Sequence, residues 1–164
     1  MSDAPPAGST APAAAAEVTT PPRRATLASV VIPVHNKATL TRQCLNALMA
    51  ERDLVIGREI IVVDDGSSDL TPELLAAYGD GIQVVRNDRA VGFSGACNAG
   101  ASVSRGDYII FLNNDTIPVQ GWFNALVNYA DEHPRAAVVG TKLLFPNNTI
   151  QHAGVVFGID RYPH

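Results

Sequence analysis

Short β-branched runs that alternate with helix-like stretches constrain this chain more than any other feature. "LASVVIPV" is a continuous apolar run of the kind found in a strand buried on both faces. "KATLTRQCLNALMA" follows, with Leu40, Cys44 and Leu48 four residues apart, an apolar helical stripe. "REIIVVD" predicts a second buried strand. "TPELLAAYG" predicts a helix with Thr71 as N-cap, Pro72 at the first helical position and Gly79 as its stop. "IQVVR" reads as a third strand, "SGACNAGASVS" as a helix of small residues, and "DYIIFL" as a fourth strand. "GWFNALVNYADEHP" predicts a helix closed by Pro134, and "AAVVG" a fifth strand. Such alternation implies an α/β fold, a mostly parallel sheet with helices on both faces. "KLLFPNNTIQHAGVVFG" departs from the pattern. Its two short β segments around a Pro-Asn-Asn turn predict a hairpin.

Residues 1–25 do not share this patterning. "MSDAPPAGSTAPAAAAEVTTPP" offers too little large apolar surface to offset the entropy of ordering, so it reads as a disordered Ala/Pro-rich tail. Its early acid, uncharged start and prolines do not make a signal peptide. Arg23 and Arg24 then form a solvated hinge, and residues 26–164 make one domain, within the usual range of roughly 100–200 residues. Apolar residues at 46% and charged residues at 17% suit a globular core. A net charge of −4 without a basic stripe disfavours a nucleic-acid partner. No apolar run approaches the roughly 20 residues of a membrane helix. Cys44 and Cys97 lack metal-ligand spacing and read as reduced, buried thiols of a cytoplasmic chain, with peripheral contact at a membrane left open.

In open α/β sheets, ligands bind beyond the carboxyl ends of the strands. Polar clusters follow the first, second and fourth strands: His35-Asn36, Asp64-Asp65-Gly-Ser-Ser-Asp69 and Asn113-Asn114-Asp115. One polar loop is ordinary, but three on one rim predict a site. The turn after the first strand, "PVHNKAT", has no glycine, which excludes a dinucleotide fingerprint, and no P-loop pattern occurs. "DDGS" invites comparison with haloacid-type phosphatases, but the nucleophile position falls on Val63, which cannot attack phosphorus. A phospho-accepting receiver built on Asp64, Asp65, Asp115 and Lys142 has its acidic pair after the wrong strand. Its Asp115-to-Lys142 spacing is also too short.

"VVIPVHN", "IVVDDGSSD", "VGFSGACNAG", "DYIIFLNNDT" and "KLLFPNNTIQHAGVVFG" resemble, in that order, the family 2 glycosyltransferases of the GT-A (Rossmann-like) fold, with a flavour of the rhamnosyltransferase-like branch. The resemblance spans residues 27–164. It implies inverting transfer of a sugar from a UDP- or dTDP-sugar donor to a glycan or lipid-linked acceptor hydroxyl, in glycan or polysaccharide synthesis. It also implies a divalent cation, Mg2+ or Mn2+. A diphosphate leaving group gathers negative charge, which a bridging cation offsets.

By this resemblance Asp115 is the metal carboxylate, while Asn113 stands where the family usually has an acid and brings no charge. The Asn113-Asn114 pair also suits a plain turn. Asp65 takes the base contact, accepting the imide N–H of uracil or thymine, and Asp64 braces the turn. Gly66 supplies backbone freedom, and Ser67, Ser68 and Asp69 are turn and cap residues. Pro33, His35 and Asn36 match the loop against the nucleoside, with His35 in place of a frequent aromatic. Asn98 and Asn114 join the nucleotide-sugar set, although the small residues around Asn98 equally suit close helix–sheet packing. His152 is expected to support the hairpin and His133 to be an exposed helix end, while His164 has no assigned role.

The family's general base, an Asp or Glu well after the hairpin, has no counterpart by residue 164, and the context of Asp160 does not match it. The expectation is therefore a donor-binding half cut short, with apolar sheet surface left open and a tendency to self-associate. The alternative is a non-catalytic nucleotide-binding or interaction module that kept the fold.

Overall fold

A parallel ladder of eight residue pairs joins β1 (Leu27–Val34) to β2 (Gly57–Asp65), from Leu27 opposite Gly57 to Val34 opposite Asp64. The computed structural model describes residues 25, 27–52, 54 and 56–154. Residues 1–24 of the predicted tail, with the Arg23-Arg24 hinge, and Asp160 and His164 lie outside them. Ala25, the tail's expected last residue, is instead buried in the core and donates its amide to Asp131 at 3.2 Å. Between these strands runs α1 (Ala38–Ala50), and α2 (Thr71–Ala76) follows β2. A 3-10 turn, Gly79–Gly81, leads into β3 (Gln83–Asn87), and then come α3 (Phe93–Val103), β4 (Tyr108–Phe111) and α4 (Trp122–Glu132). The four strands form one all-parallel sheet in the order β3-β2-β1-β4. A separate antiparallel hairpin pairs β5 (Leu143–Leu144) with β6 (Ile150–His152).

Alternation along the strands assigns the two faces. Val30, Ile32, Val34, Ile60 and Val62 pack with Cys44, Leu45 and Leu48 of α1, Leu75 of α2, and Phe123 and Val127 of α4. Val31, Ile61 and Val63 point the other way, onto Ala96 of α3. The small residues of α3 are what allow this approach. A Cβ on Gly100 would lie 2.4 Å from Val31 Cγ1 and 3.0 Å from Val63 Cγ2.

Polar pairs close the end of the sheet away from the candidate site, the Glu51–Arg58 pair buried and the Glu59–Arg105 pair at the surface. Arg58 donates to Glu51 (2.9 Å) and to the Leu48 carbonyl (2.7 Å), and Glu51 also accepts the Gly121 amide at 3.1 Å. The pair thus ties the end of α1, the start of β2 and the start of α4 together. Ser29 Oγ donates to Glu59 (2.5 Å), which also takes Arg105 through both backbone and guanidinium.

Three expectations need correction. "AAVVG" forms no strand: Val138 is 88% exposed, and the outer edge of β4 carries no partner among the described residues. A run of this length gains strand geometry only through a ladder, and none is made here. Thr71 is not the N-cap, because the helix already includes it and Leu70 holds the cap position. Asp69 does the capping instead, accepting Thr71 N–H at 2.9 Å and Thr71 Oγ1–H at 2.6 Å. That helix also ends at Ala76, before Gly79. The hairpin turn is as expected: Phe145 N–H reaches the Thr149 carbonyl at 2.9 Å and Asn148 N–H the Phe145 carbonyl at 2.8 Å.

The tight contact at Gly100 yields a direct test. Gly100→Ala is expected to lower stability by about 1–3 kcal/mol through overpacking against Val31 and Val63. It would be read as a shift in urea midpoint at unchanged slope; an unshifted midpoint contradicts the close packing.

Candidate functional site

The carboxyl ends of β1, β2 and β4 bring the three predicted clusters to one rim. Pro33 explains part of its shape. Along β1, odd-numbered residues turn their backbone groups toward β4, as Leu27 and Val31 do in accepting the Asp107 and Leu112 amides. The β4 pairing stops at Val31 opposite Phe111, so the missing N–H of Pro33 falls where no ladder partner stands. Beyond that point β1 and β4 part. In the order β3-β2-β1-β4, the strand order reverses between β1 and β4, the usual place for a ligand crevice.

The loop after β1 is stitched to the loop after β2. Asn36 and Lys37 both adopt left-handed backbone, φ 60° and 65°, which turns the chain sharply into α1. Asn36 N–H donates to Ser67 Oγ (2.8 Å), and Asn36 Oδ1 accepts the amides of Ser68 (2.8 Å) and Asp69 (3.3 Å). Asp69 in turn accepts the Ala38 amide (3.2 Å) at the start of α1. These bonds hold the Asp69 carboxyl below its ordinary range: the Thr71 hydroxyl contributes most, and the Ala38, Thr71 and Lys37 amides add to it. His35 Nδ1 lies 2.7 Å from the Asp65 carbonyl. A carbonyl only accepts, so Nδ1 carries the proton. In the neutral ring Nε2 then accepts from Asn36 Nδ2 at 3.2 Å. The ring itself is exposed.

The acidic pair divides its labour. Asp64 is buried, accepts the Ser67 amide (2.9 Å) and pairs with Arg86, which also donates to the Ser67 carbonyl at 3.1 Å. It braces the turn. Asp65 is 4% exposed, and its carboxylate takes Asn87 Nδ2 (2.8 Å), Val91 N–H (2.9 and 3.1 Å) and Gly92 N–H (2.9 Å). Burial pushes its pKa up, but these donors, with the nearby His35, outweigh burial and hold it below the ordinary carboxylate value. This hold on the β3–α3 turn was not apparent from sequence, because Val91 and Gly92 contribute only backbone amides. Gly66 has φ 68°, and a Cβ there would lie 2.8 Å from Ala90 N and from the Arg89 carbonyl carbon.

The loop after β4 presents one acid outward. Thr116 closes a turn on Asn113 through its amide (3.2 Å) and its hydroxyl (2.7 Å). Asn114 is half-buried and donates to Thr41 Oγ1 at 3.0 Å. Asn113 turns its side chain to solvent, and its carbonyl accepts a weak Cys44 S–H contact at 3.8 Å. Burial, reinforced by the Asp115 charge and opposed by Thr116, pushes the Cys44 thiol up to about 11, so it is no nucleophile at neutral pH. Cys97 is likewise buried and free. Asp115 is exposed and accepts no hydrogen bond from the described residues.

Asn98 is exposed on α3 and stays outside these networks. His133 caps the end of α4 and stacks on Tyr129 at 3.9 Å, and His152 is exposed in β6. Among the described residues no cluster of three or more His, Cys, Asp or Glu side chains is arranged to hold a metal, and no helix is long and apolar enough to cross a membrane.

A parallel sheet of this order with polar loops gathered on one rim defines an α/β class, and comparison with known proteins gives the family. The model for glycosyl transferase family 2 matches residues 29–152, and the chain belongs to that family. The O-antigen biosynthesis protein RfbC of Myxococcus xanthus is 32% identical over 133 residues, 80% of this chain and 10% of that protein. Glycosyltransferase GlyG of Streptococcus pneumoniae is 30% identical over 117 residues, 70% of this chain and 38% of its own length. The chain therefore spans well under half of these relatives. Among solved structures, S. aureus TarS 1–349 in complex with UDP-GlcNAc superimposes with a TM-score of 0.60 at 23% identity, over 65% of this chain and 32% of that one. The mannosyltransferase PcManGT of Pyrobaculum calidifontis, in complex with GDP-Man and Mn2+, gives 0.61 at 20% identity, over 78% and 38%. Both show the same fold, the GT-A arrangement expected from the motifs.

The depressed Asp65 pKa gives a pH dependence of defined sign. Its stabilising contribution is complete above the unfolded carboxyl value, about 4, and is lost as pH falls through the lower folded value. Denaturant titrations across that window should show wild type converging on Asp65→Asn as pH drops. A constant gap between the two at all pH values would contradict the assignment.

Proposed function

We propose that this chain is the donor-binding part of an inverting glycosyltransferase that moves a sugar from a pyrimidine nucleoside diphosphate to an acceptor hydroxyl, in glycan or polysaccharide synthesis. The observation that carries the reading is the contrast on the rim. Asp64, Asp65 and Asp69 are taken up by internal hydrogen bonds, whereas Asp115 keeps its carboxylate free in solvent. Family membership supplies the reaction class.

On this reading the nucleoside lies against Pro33, His35 and Asn36. A carboxylate has about four acceptor directions. Asp65 receives four contacts from three donors, two on each oxygen with Val91 N–H shared between them. An imide N–H of uracil or thymine would take the place of the longer Val91 contact on Oδ2, 3.1 Å. Cytosine has no such N–H to offer. Asp64 and Gly66 keep the turn in shape, and Asn98 and Asn114 flank the sugar-diphosphate side.

Asp115 is suited to a divalent cation of the Mg2+ or Mn2+ kind. A cation that takes one or two protein carboxylates and completes its shell with phosphates and water needs no larger protein cluster, and none is present among the described residues. When bound, it supplies positive charge to the oxygens of the departing diphosphate. Asn113, in place of a second acid, adds no charge, so cation affinity is expected to depend on the nucleotide. The acceptor, a glycan or lipid-linked hydroxyl, and the general base that deprotonates it fall to parts of the relatives that this chain does not match.

Calorimetry with UDP, dTDP and magnesium tests the reading. Binding in the micromolar-to-millimolar range is expected for wild type, with the magnesium-dependent part lost in Asp115→Ala and pyrimidine preference weakened in Asp65→Ala. Absence of nucleotide binding to wild type, or indifference to both substitutions, sinks it.

A further inference from the structure

The turn between β3 and α3, residues 88–92, is held from two directions. From one side Asp65 takes the amides of Val91 and Gly92 and, through Asn87, the end of β3. From the other, the backbone of Arg89 and Ala90 lies directly on Gly66, so close that even a methyl group there would collide with it. Arg89 stands on this clamped turn with an exposed side chain and no partner among the described residues. The arginines around the sheet differ: Arg86 is paired with Asp64, Arg58 with Glu51 and Arg105 with Glu59.

An exposed arginine is ordinary by itself. Arg89 is distinctive because its backbone is fixed beside the Asp-Asp-Gly turn while its guanidinium is unspent. A fixed stem lowers the entropy lost when the head group engages a ligand. A planar guanidinium also matches phosphate oxygens through paired hydrogen bonds. We propose that Arg89 is a further donor-binding residue that contacts the diphosphate, and that Asp65 and Asn87 are positioning residues that hold its turn in place. The proposal rests on the nucleotide reading above and deepens it: Asp65 then serves the donor twice, once at the base and once by fixing the turn that carries Arg89.

Amide-detected NMR titration of the 164-residue chain with UDP and dTDP, and separately with uridine and thymidine, all with magnesium, distinguishes the outcomes. Arg89→Ala should weaken the nucleoside diphosphates about tenfold, the scale of one lost charge-assisted contact, while the nucleosides bind as before. Asn87→Ala should weaken the diphosphates several-fold and speed amide exchange at Val91 and Gly92, with the fold retained by circular dichroism. In the double variant the two losses should not add, because a loosened turn without Arg89 has nothing left to position. Unchanged diphosphate affinity in Arg89→Ala, or an equal loss for nucleosides and diphosphates, overturns the Arg89 contact. Additive losses overturn the positioning role of Asn87. If wild type binds none of the four compounds, the nucleotide reading itself falls and the inference falls with it.

Discussion

The β1–β2 ladder is the constraint on which the rest of the molecule depends. Both strands are buried on both faces over most of their length, so their register is specified twice, once by each layer of helices. A slip of one residue would turn Val31, Ile61 and Val63 away from α3 and drive Val30, Ile32 and Val62 into it. The same register decides the site. Because Val34 lies opposite Asp64, the next residues along the chain, His35 just past β1 and Asp65 at the end of β2, meet at the rim, and the imidazole N–H donates to the Asp65 carbonyl.

Placing three acids in one short turn is expensive unless each is neutralised separately, and each is, by a different means. Asp64 meets a guanidinium, Asp65 a row of amides and an asparagine, and Asp69 the amides at the starts of α1 and α2. The stretch that looks most like a ligand site in sequence therefore does much of its work inside the protein, joining β1, β2 and the β3–α3 turn. Asp115 is the reverse case. Its surroundings, a turn closed by Thr116 and anchored by Asn114 on Thr41, fix the backbone and leave the carboxylate to solvent.

The strands and helices were legible in sequence because burial wrote itself as periodicity: apolar runs in β1 and β2, a four-residue stripe in α1. Contacts made by backbone were not. Nothing in the residue types of Val91 and Gly92 announces that their amides bind a carboxylate twenty-odd positions earlier. The cap of α2 was misread for a related reason. Thr71 and Asp69 are both acceptable caps by composition, and only the path of the chain decides which side chain reaches the free amides. "AAVVG" failed because strand propensity describes a willingness to pair, and pairing needs an edge.

The two halves of the rim rest on supports of unequal strength. The side that carries His35, Asn36 and the acidic turn stands on a ladder of eight pairs and two packed faces. The side that carries Asp115 stands on β4, joined to β1 by four pairs and, among the described residues, covered on one face only. Tyr108 and Ile110 pack into the core, but Ile109 and Phe111 are 43% and 52% exposed, beyond the reach of α3. Local opening begins where buried apolar contacts are fewest, so the β1–β2 side of the rim is the firmer platform and the β4 side the more yielding one. A donor that bridges the two would add its own binding energy to the weaker ladder. Asn113 fits this picture, because a second acid beside Asp115 would add repulsion to the strand least able to bear it.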